Sequence, residues 1–171
     1  MKMINIFFLV IVITLISIGG FLFLVKEGEF EKTSHSSMRK EGLVKNNSLF
    51  LGYGMKWDGI GTPTIEKIQF YKEDGSLLSK REDEIVITPY IDTSKEIGSM
   101  YEEHLLEEGY MDHLLNVRGY KVTDHFHMVL KVEIGQNTDF QDIGKIRIMY
   151  KKFGLTKFQE ISLEEGIVSG K

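Results

Sequence analysis

The sequence contains no cysteine, and that absence removes several chemistries at once. Disulfides, thiolate metal sites, a cysteine nucleophile and a lipidated cysteine anchor are all excluded. Both oxidising and reducing compartments accept such a chain. Net basic charge is missing as well: the formal charge is −4 at pH 7, and from Lys26 onward all 25 acidic side chains meet all but one of the 21 basic ones. A weakly acidic surface has no electrostatic footprint for a phosphate backbone, so nucleic acid is not an expected partner. It also argues against the domain lying flat on anionic lipid. Proline is scarce, with only Pro63 and Pro89.

What the chain does have is one long hydrophobic run. Residues 4–25 carry no charge, and their polar members are Asn5, Thr14 and Ser17. In a helix, the two hydroxyls can bond to their own backbone carbonyls. A run of this length spans about 33 Å as a helix, against about 30 Å of bilayer hydrocarbon. Helices buried in soluble cores are rarely apolar all round for so long. Residues 1–25 are therefore expected to be a membrane anchor. Ser17-Ile18-Gly19 offers a small-x-small pattern for a signal peptidase. Cleavage there would leave a greasy, exposed N-terminus, so an uncleaved signal-anchor is the expectation. Lys26, Lys32, Arg39 and Lys40 would place the following side in the cytoplasm by basic-residue count. A hydrophobic segment beginning at residue 4 behaves like an export signal, which favours a domain outside the cell.

Residues 26–42 are small and charged and read as a linker. Residues 43–171 read as a soluble β-rich domain, large enough to enclose its own core. Residues 49–61 alternate aromatic with small side chains, and Gly59, Gly61 and the following Pro63 punctuate their end, which suggests a strand and a turn. A strand over 64–71 leads to a turn at Asp74-Gly75, and Leu77 and Leu78 begin the return. Residues 84–91 form another strand, in which Pro89 argues for an edge or a bulge. Residues 94–115 hold the helical signals of the soluble part, divided by Gly109 into two short helices or a helix and a turn.

The tail is the clearest. Phe126, Met128, Leu130, Val132 and Ile134 alternate with His125, His127, Lys131 and Glu133, the pattern of a half-buried strand. After a turn at 135–139, Ile146, Ile148 and Tyr150 alternate with Lys145, Arg147 and Lys151. A third strand follows over 155–163, and the three read as a meander. With about seven strands, the expected fold is mainly β: an antiparallel sandwich-like domain with one or two short helices, behind a transmembrane helix.

No motif commits the domain to a reaction. His125 and His127 share a strand face and would suit two metal bonds, but one such pair is weak, and polar residues on a wet sheet face explain it equally. His104 and His113 lie among Glu103, Glu107, Glu108 and Asp112, yet the spacing of a zinc hydrolase or a calcium loop is absent. The Gly52-Tyr53-Gly54 and Gly59-Ile60-Gly61 pairs are too short to cradle a phosphate, and no cofactor site is expected. Phe50, Tyr53, Met55 and Trp57 suit either an aromatic protein-interaction patch or core filling.

In layout and composition the chain resembles the small, membrane-anchored, cysteine-poor proteins of Gram-positive bacteria. The expected function is a non-catalytic binding or accessory domain at the cell envelope. Its partner would be an envelope or membrane protein, or a second copy of the chain. One alternative is a small envelope enzyme or metal-binding domain using His104, His113, His125, His127 and nearby carboxylates. Another is a cytoplasm-facing, membrane-recruited interaction module.

Overall fold

The structure, a computed structural model, describes residues 2–39, 42, 48–78, 85–134, 141–163 and 166–169. Helix α1 (Lys2–Lys26) contains the apolar run and is long enough to cross a membrane. Its side chains from Ile6 to Leu24 are almost all exposed, as a lipid-facing helix requires. Thr14 Oγ1 donates to Val10 O at 2.8 Å and Ser17 Oγ to Ile13 O at 2.9 Å, so neither hydroxyl is left bare in an apolar medium. The chain is a membrane-anchored β-rich domain.

Among the described residues, no tether follows the helix, and residues 40–41 of the expected linker lie outside them. Strand β1 (Glu29–His35) begins almost at once and pairs antiparallel with β3 (Ser48–Asp58), setting Phe30 opposite Trp57. Phe30 is buried, with its ring centroid 4.9 Å from that of Trp57 and 5.1 Å from that of Tyr150. The polarity of residues 26–42 suggested a linker because this strand buries little besides that one aromatic. Strand β2 (Met38–Arg39) also falls in the stretch and pairs in parallel with β11 (Val168–Ser169).

Strand β4 (Thr64–Lys72) turns at Asp74-Gly75, where Gly75 adopts φ 83° and Asp74 Oδ1 accepts from Ser76 N at 2.8 Å. Strand β5 (Ile85–Asp92) pairs with β8 (His125–Ile134) along its length. On its other side it pairs with β7 (Leu114–Asn116) only from Tyr90 to Asp92. Pro89 thus lies just beyond the end of that second ladder, where its missing N–H costs no hydrogen bond. Between them come β6 (Ser99–Tyr101), paired with β3, then α2 (Glu102–Glu107) and a 3₁₀ turn (Tyr110–His113). Gly109, at φ 72°, separates the two helical pieces. The turn expected at 135–139 and the start of the strand expected from 84 lie outside the described residues.

The C-terminal strands do not form a meander. Strand β8 sits inside the larger sheet, ordered β1-β3-β8-β5-β7, with β6 also on β3. Strands β9 (Ile143–Lys152) and β10 (Leu155–Ser162) build a second sheet with β4, ordered β10-β9-β4. Three evenly alternating strands suit either arrangement, because alternation identifies the buried face and not the neighbour. Side chains from both sheets meet in one core, including Leu51, Met128 and Leu130 from the larger and Ile65, Phe70 and Ile148 from the smaller. This is a β-sandwich. A smaller cluster of Phe50, Ile97, Leu105 and Val129 covers the outer face of the larger sheet beneath α2.

Candidate functional site

Strand period divides the four aromatic and Met candidates. Tyr53, Met55 and Trp57 point into the sandwich core, whereas Phe50, at an even-numbered position, points to the opposite face beneath α2. All four are buried, so they form no exposed interaction patch. Phe50 lies under the Lys131 ammonium, 5.8 Å from its ring, and Lys131 ties α2 to the sheet by donating to Glu102 Oε1 at 3.1 Å. The Tyr53 hydroxyl has no hydrogen-bond partner among the described residues, and burial pushes its pKa well above the usual tyrosine range, with Asp142 adding to the rise.

The histidines separate similarly. His104 on α2 and His113 in the 3₁₀ turn are exposed, while His125 and His127 share the outer face of β8. A small cleft of about 130 Å³ is lined by Thr33, Gly54, Lys95, Phe126 and the His125–His127 pair, without His104 or His113. Among the described residues, no group of three or more His, Asp or Glu is arranged to hold a metal ion. His125 lies beside exposed Asp124, 3.0 Å away.

His127 has a partner that pattern reading missed. Asp92 stands opposite it in the β5–β8 register, buried, and its Oδ2 accepts from His127 Nδ1–H at 3.1 Å. Asp92 Oδ1 also accepts from Ser94 N at 2.8 Å and Ser94 Oγ at 2.6 Å, and Oδ2 from Ile97 N at 3.2 Å. Burial alone would raise this carboxyl's pKa, but the bonds from Ser94, His127 and Ile97 outweigh it and hold the pKa below its usual value. An Asp-His pair beside a serine has the members of a catalytic triad, but the connections differ. The Ser94 hydroxyl donates to Asp92, so it is held by the carboxylate and not offered to the imidazole. The arrangement pins the loop from Thr93 to Gly98 over the sheet. The Asp92-x-Ser94 spacing, that of an Asx turn, was the available sequence signal.

A second cluster joins the anchor to the domain. Lys152 is 1% exposed; it donates to the Glu27 carbonyl and lies 3.6 Å from the Glu27 carboxylate. Its ammonium is 5.0 Å from the Trp57 ring and 5.4 Å from that of Phe153. Lys157 donates to Val25 O at 2.6 Å, placing a cation on the last turn of α1, where free carbonyls and the helix dipole favour one. Burial, and repulsion from Lys152, lower the Lys157 pKa in spite of Glu27. Period 2 held the signal for this cluster too. With Ile146, Ile148 and Tyr150 inward, Lys152 is the next inward position, a cation on the apolar face.

An exposed aromatic side chain, Phe158, lies on the outer face of the smaller sheet. The Arg147 guanidinium stacks between Tyr71 and Phe158, 4.6 and 4.8 Å from their ring centroids, and is held by Glu160 Oε1 at 2.5 Å from Nη2. Phe158 is 60% exposed.

No family model, curated protein or solved structure matches the chain. Its function therefore rests on its own geometry.

Proposed function

We propose that this chain is a non-catalytic binding or accessory domain held against the membrane, facing the cell exterior. Its partner is an envelope or membrane protein, or a second copy of itself. The observation that carries the reading is the Tyr71–Arg147–Phe158 stack. Large aromatics and arginine are enriched at binding hot spots, where they bury much area and fill well-packed pockets. Here Phe158 is exposed while Tyr71 and Arg147 are half-buried beside it, on a sheet face that would gain by being covered. The junction at Lys152 and Lys157 supports the accessory role, since it ties the sheet to the anchor and limits its reach to other molecules at the same membrane.

The test is a photoreactive phenylalanine analogue at Phe158 in a C-terminally tagged full chain, irradiated in cells. A discrete adduct is expected, abolished by Arg147→Ala, with a mass of two chains if the partner is another copy. No adduct from Phe158, with one from a buried control absent as well, would overturn the binding reading. External protease on intact and lysed cells reads orientation: digestion without lysis supports the exterior, and protection until lysis favours the cytoplasmic alternative.

A further inference from the structure

The end of the sandwich beside α1 carries apolar side chains that its own packing does not cover. Ile60, in the loop from β3 to β4, is 50% exposed; Phe153, in the turn from β9 to β10, is 45% exposed; Leu155, opening β10, is 46% exposed. All of them lie at the foot of the anchor. Ile60 N donates to Glu27 Oε2 at 2.6 Å, one residue beyond the end of α1. Trp57 Nε1 donates to Gly61 O at 3.0 Å and holds the same loop in place. The Phe153 ring packs on Gly61, where a Cβ would stand 2.9 Å from its Cζ. Lys152, the neighbour of Phe153, binds Glu27, and Lys157 binds Val25.

The backbone at Phe153 is a separate observation. Phe153 has φ 49° and Gly154 φ 82°, so both central residues of this hairpin turn are left-handed. Such turns favour Asn-Gly or Asp-Gly, and a bulky aromatic is disfavoured at the first position. The chain therefore holds a half-exposed ring on a turn whose local preference is for a small polar residue. Strain of this kind persists where something outside the turn uses it.

We propose that Ile60, Phe153 and Leu155 insert into the interfacial layer of the same membrane that α1 spans, making a second lipid contact. The inference rests on the membrane-anchored reading. Continuity with the anchor is what selects lipid as the occupant: the three side chains lie beside the end of α1, Ile60 through Glu27, and Phe153 and Leu155 through Lys152. Apolar groups there bury area at the boundary between headgroups and acyl chains. Lys26 and Lys151 are exposed, and long basic side chains can keep their stems on apolar surface while the ammonium meets headgroups. A weakly acidic domain does not oppose this, because the contact is a small apolar edge and not a broad charged face. The contact gives the domain a fixed stance. Strand β3 leads away from this end, and nine residues at about 3.3 Å put α2 and Leu49 roughly 30 Å from the foot.

The absence of cysteine makes the test direct. The full chain would be reconstituted in phosphatidylcholine vesicles carrying nitroxide lipids, labelled either near the headgroup or deep in the acyl chain. An environment-sensitive fluorophore would be placed at Thr62→Cys beside the apolar edge, at Glu107→Cys on α2, or at Ile13→Cys within the anchor. The shallow nitroxide should quench the label at 62 several-fold more than that at 107, and the deep one should quench the label at 13. Ile60→Asn combined with Phe153→Asn should lower quenching at 62 to the level at 107 and leave quenching at 13 unchanged. Because Asn accepts a positive φ, the Phe153 change keeps the fold, which the urea midpoint would verify. Quenching at 13 without quenching at 62 overturns the second contact and leaves the anchor standing. Quenching at 62 that survives the double substitution overturns it too, since proximity would then come from the helix alone. No quenching at 13 overturns the anchor, and the inference with it.

Discussion

The side-chain amide of Gln159 binds the main chain of Phe30 twice: Phe30 N donates to its Oε1 at 2.6 Å, and its Nε2 donates to Phe30 O at 2.8 Å. Gln159 belongs to β10 and Phe30 to β1, the edge strands of the two sheets. One amide thus imitates a peptide unit, satisfies an edge that would otherwise be open, and joins the sheets at their border. Gln159→Ala should cost about 1–2 kcal/mol, the usual net worth of two such bonds. Gln159→Glu should cost more, because a carboxylate would face the Phe30 carbonyl. Urea midpoints of the full chain in detergent measure both, and equal midpoints for all three proteins would show the bridge to be idle.

Acid should loosen the loop over the larger sheet. The folded-state pKa of Asp92 lies below its unfolded value, so its stabilisation is complete above about pH 4 and is lost as pH falls through the lower folded value. Asp92→Ala, which orphans the donors of Ser94, Ile97 and His127, should cost about 3 kcal/mol at neutral pH. It should also flatten the acid limb of the stability profile below pH 4. A variant retaining the parental acid limb would assign that limb to other carboxylates.

Gly52 lies under the same loop. Its N–H donates to Gly98 O at 2.6 Å, and a Cβ there would run into the Ile97 carbonyl and meet the His127 ring at 2.8 Å. Backbone cannot yield as a side-chain tip can, so Gly52→Ala should destabilise by roughly 3 kcal/mol. Amide exchange should rise first at Ile97 and Gly98; a neutral outcome would mean that the loop repacks freely.

Lys152→Ala removes a buried cation and leaves a void beside Trp57, which should cost about 3 kcal/mol. It should also speed tryptic cleavage after Lys26 and shift the emission of the single tryptophan to the red. Lys152→Met, which keeps the volume, should recover part of the stability but not the protection at Lys26. Unchanged cleavage in both would dissociate this lysine from the junction.

Phe153→Asn should raise stability in detergent by up to about 1 kcal/mol, because it removes a bulky residue from a left-handed position. A gain in stability with a loss of lipid proximity would separate the ring's role at the membrane from its role in the fold. A loss of stability would mean that its packing on Gly61 outweighs the backbone cost.

How far the site could be read beforehand varies from residue to residue. Period 2, a local property of a strand, puts His125 and His127 on a common face, as the structure has them. Asp92, 35 positions before His127, became its neighbour only through strand pairing. Period 2 also makes Lys152 an inward position, a signal that the sequence reading did not take up, and nothing local points to Glu27, 125 positions away, as its partner. Residues 94–115 carried helical spacings, yet only Glu102–Glu107 is α-helical, because pairing of Ser99–Tyr101 with β3 and of Leu114–Asn116 with β5 overrides them.

By itself, the sequence determined the membrane helix, the turn at Asp74-Gly75, the inward and outward faces of β8 and β9, and a mainly β domain. Each of these depends on composition or on a period read within a dozen residues. Only the tertiary structure decided that β8 and β9 enter different sheets, that Phe30 closes the core where a linker was expected, and that Tyr53, Met55 and Trp57 are interior. Those outcomes depend on which strands become neighbours. Alternation is the same for every register and every partner on the same face, so pairing is decided by side chains far apart in the chain that fit one shared core.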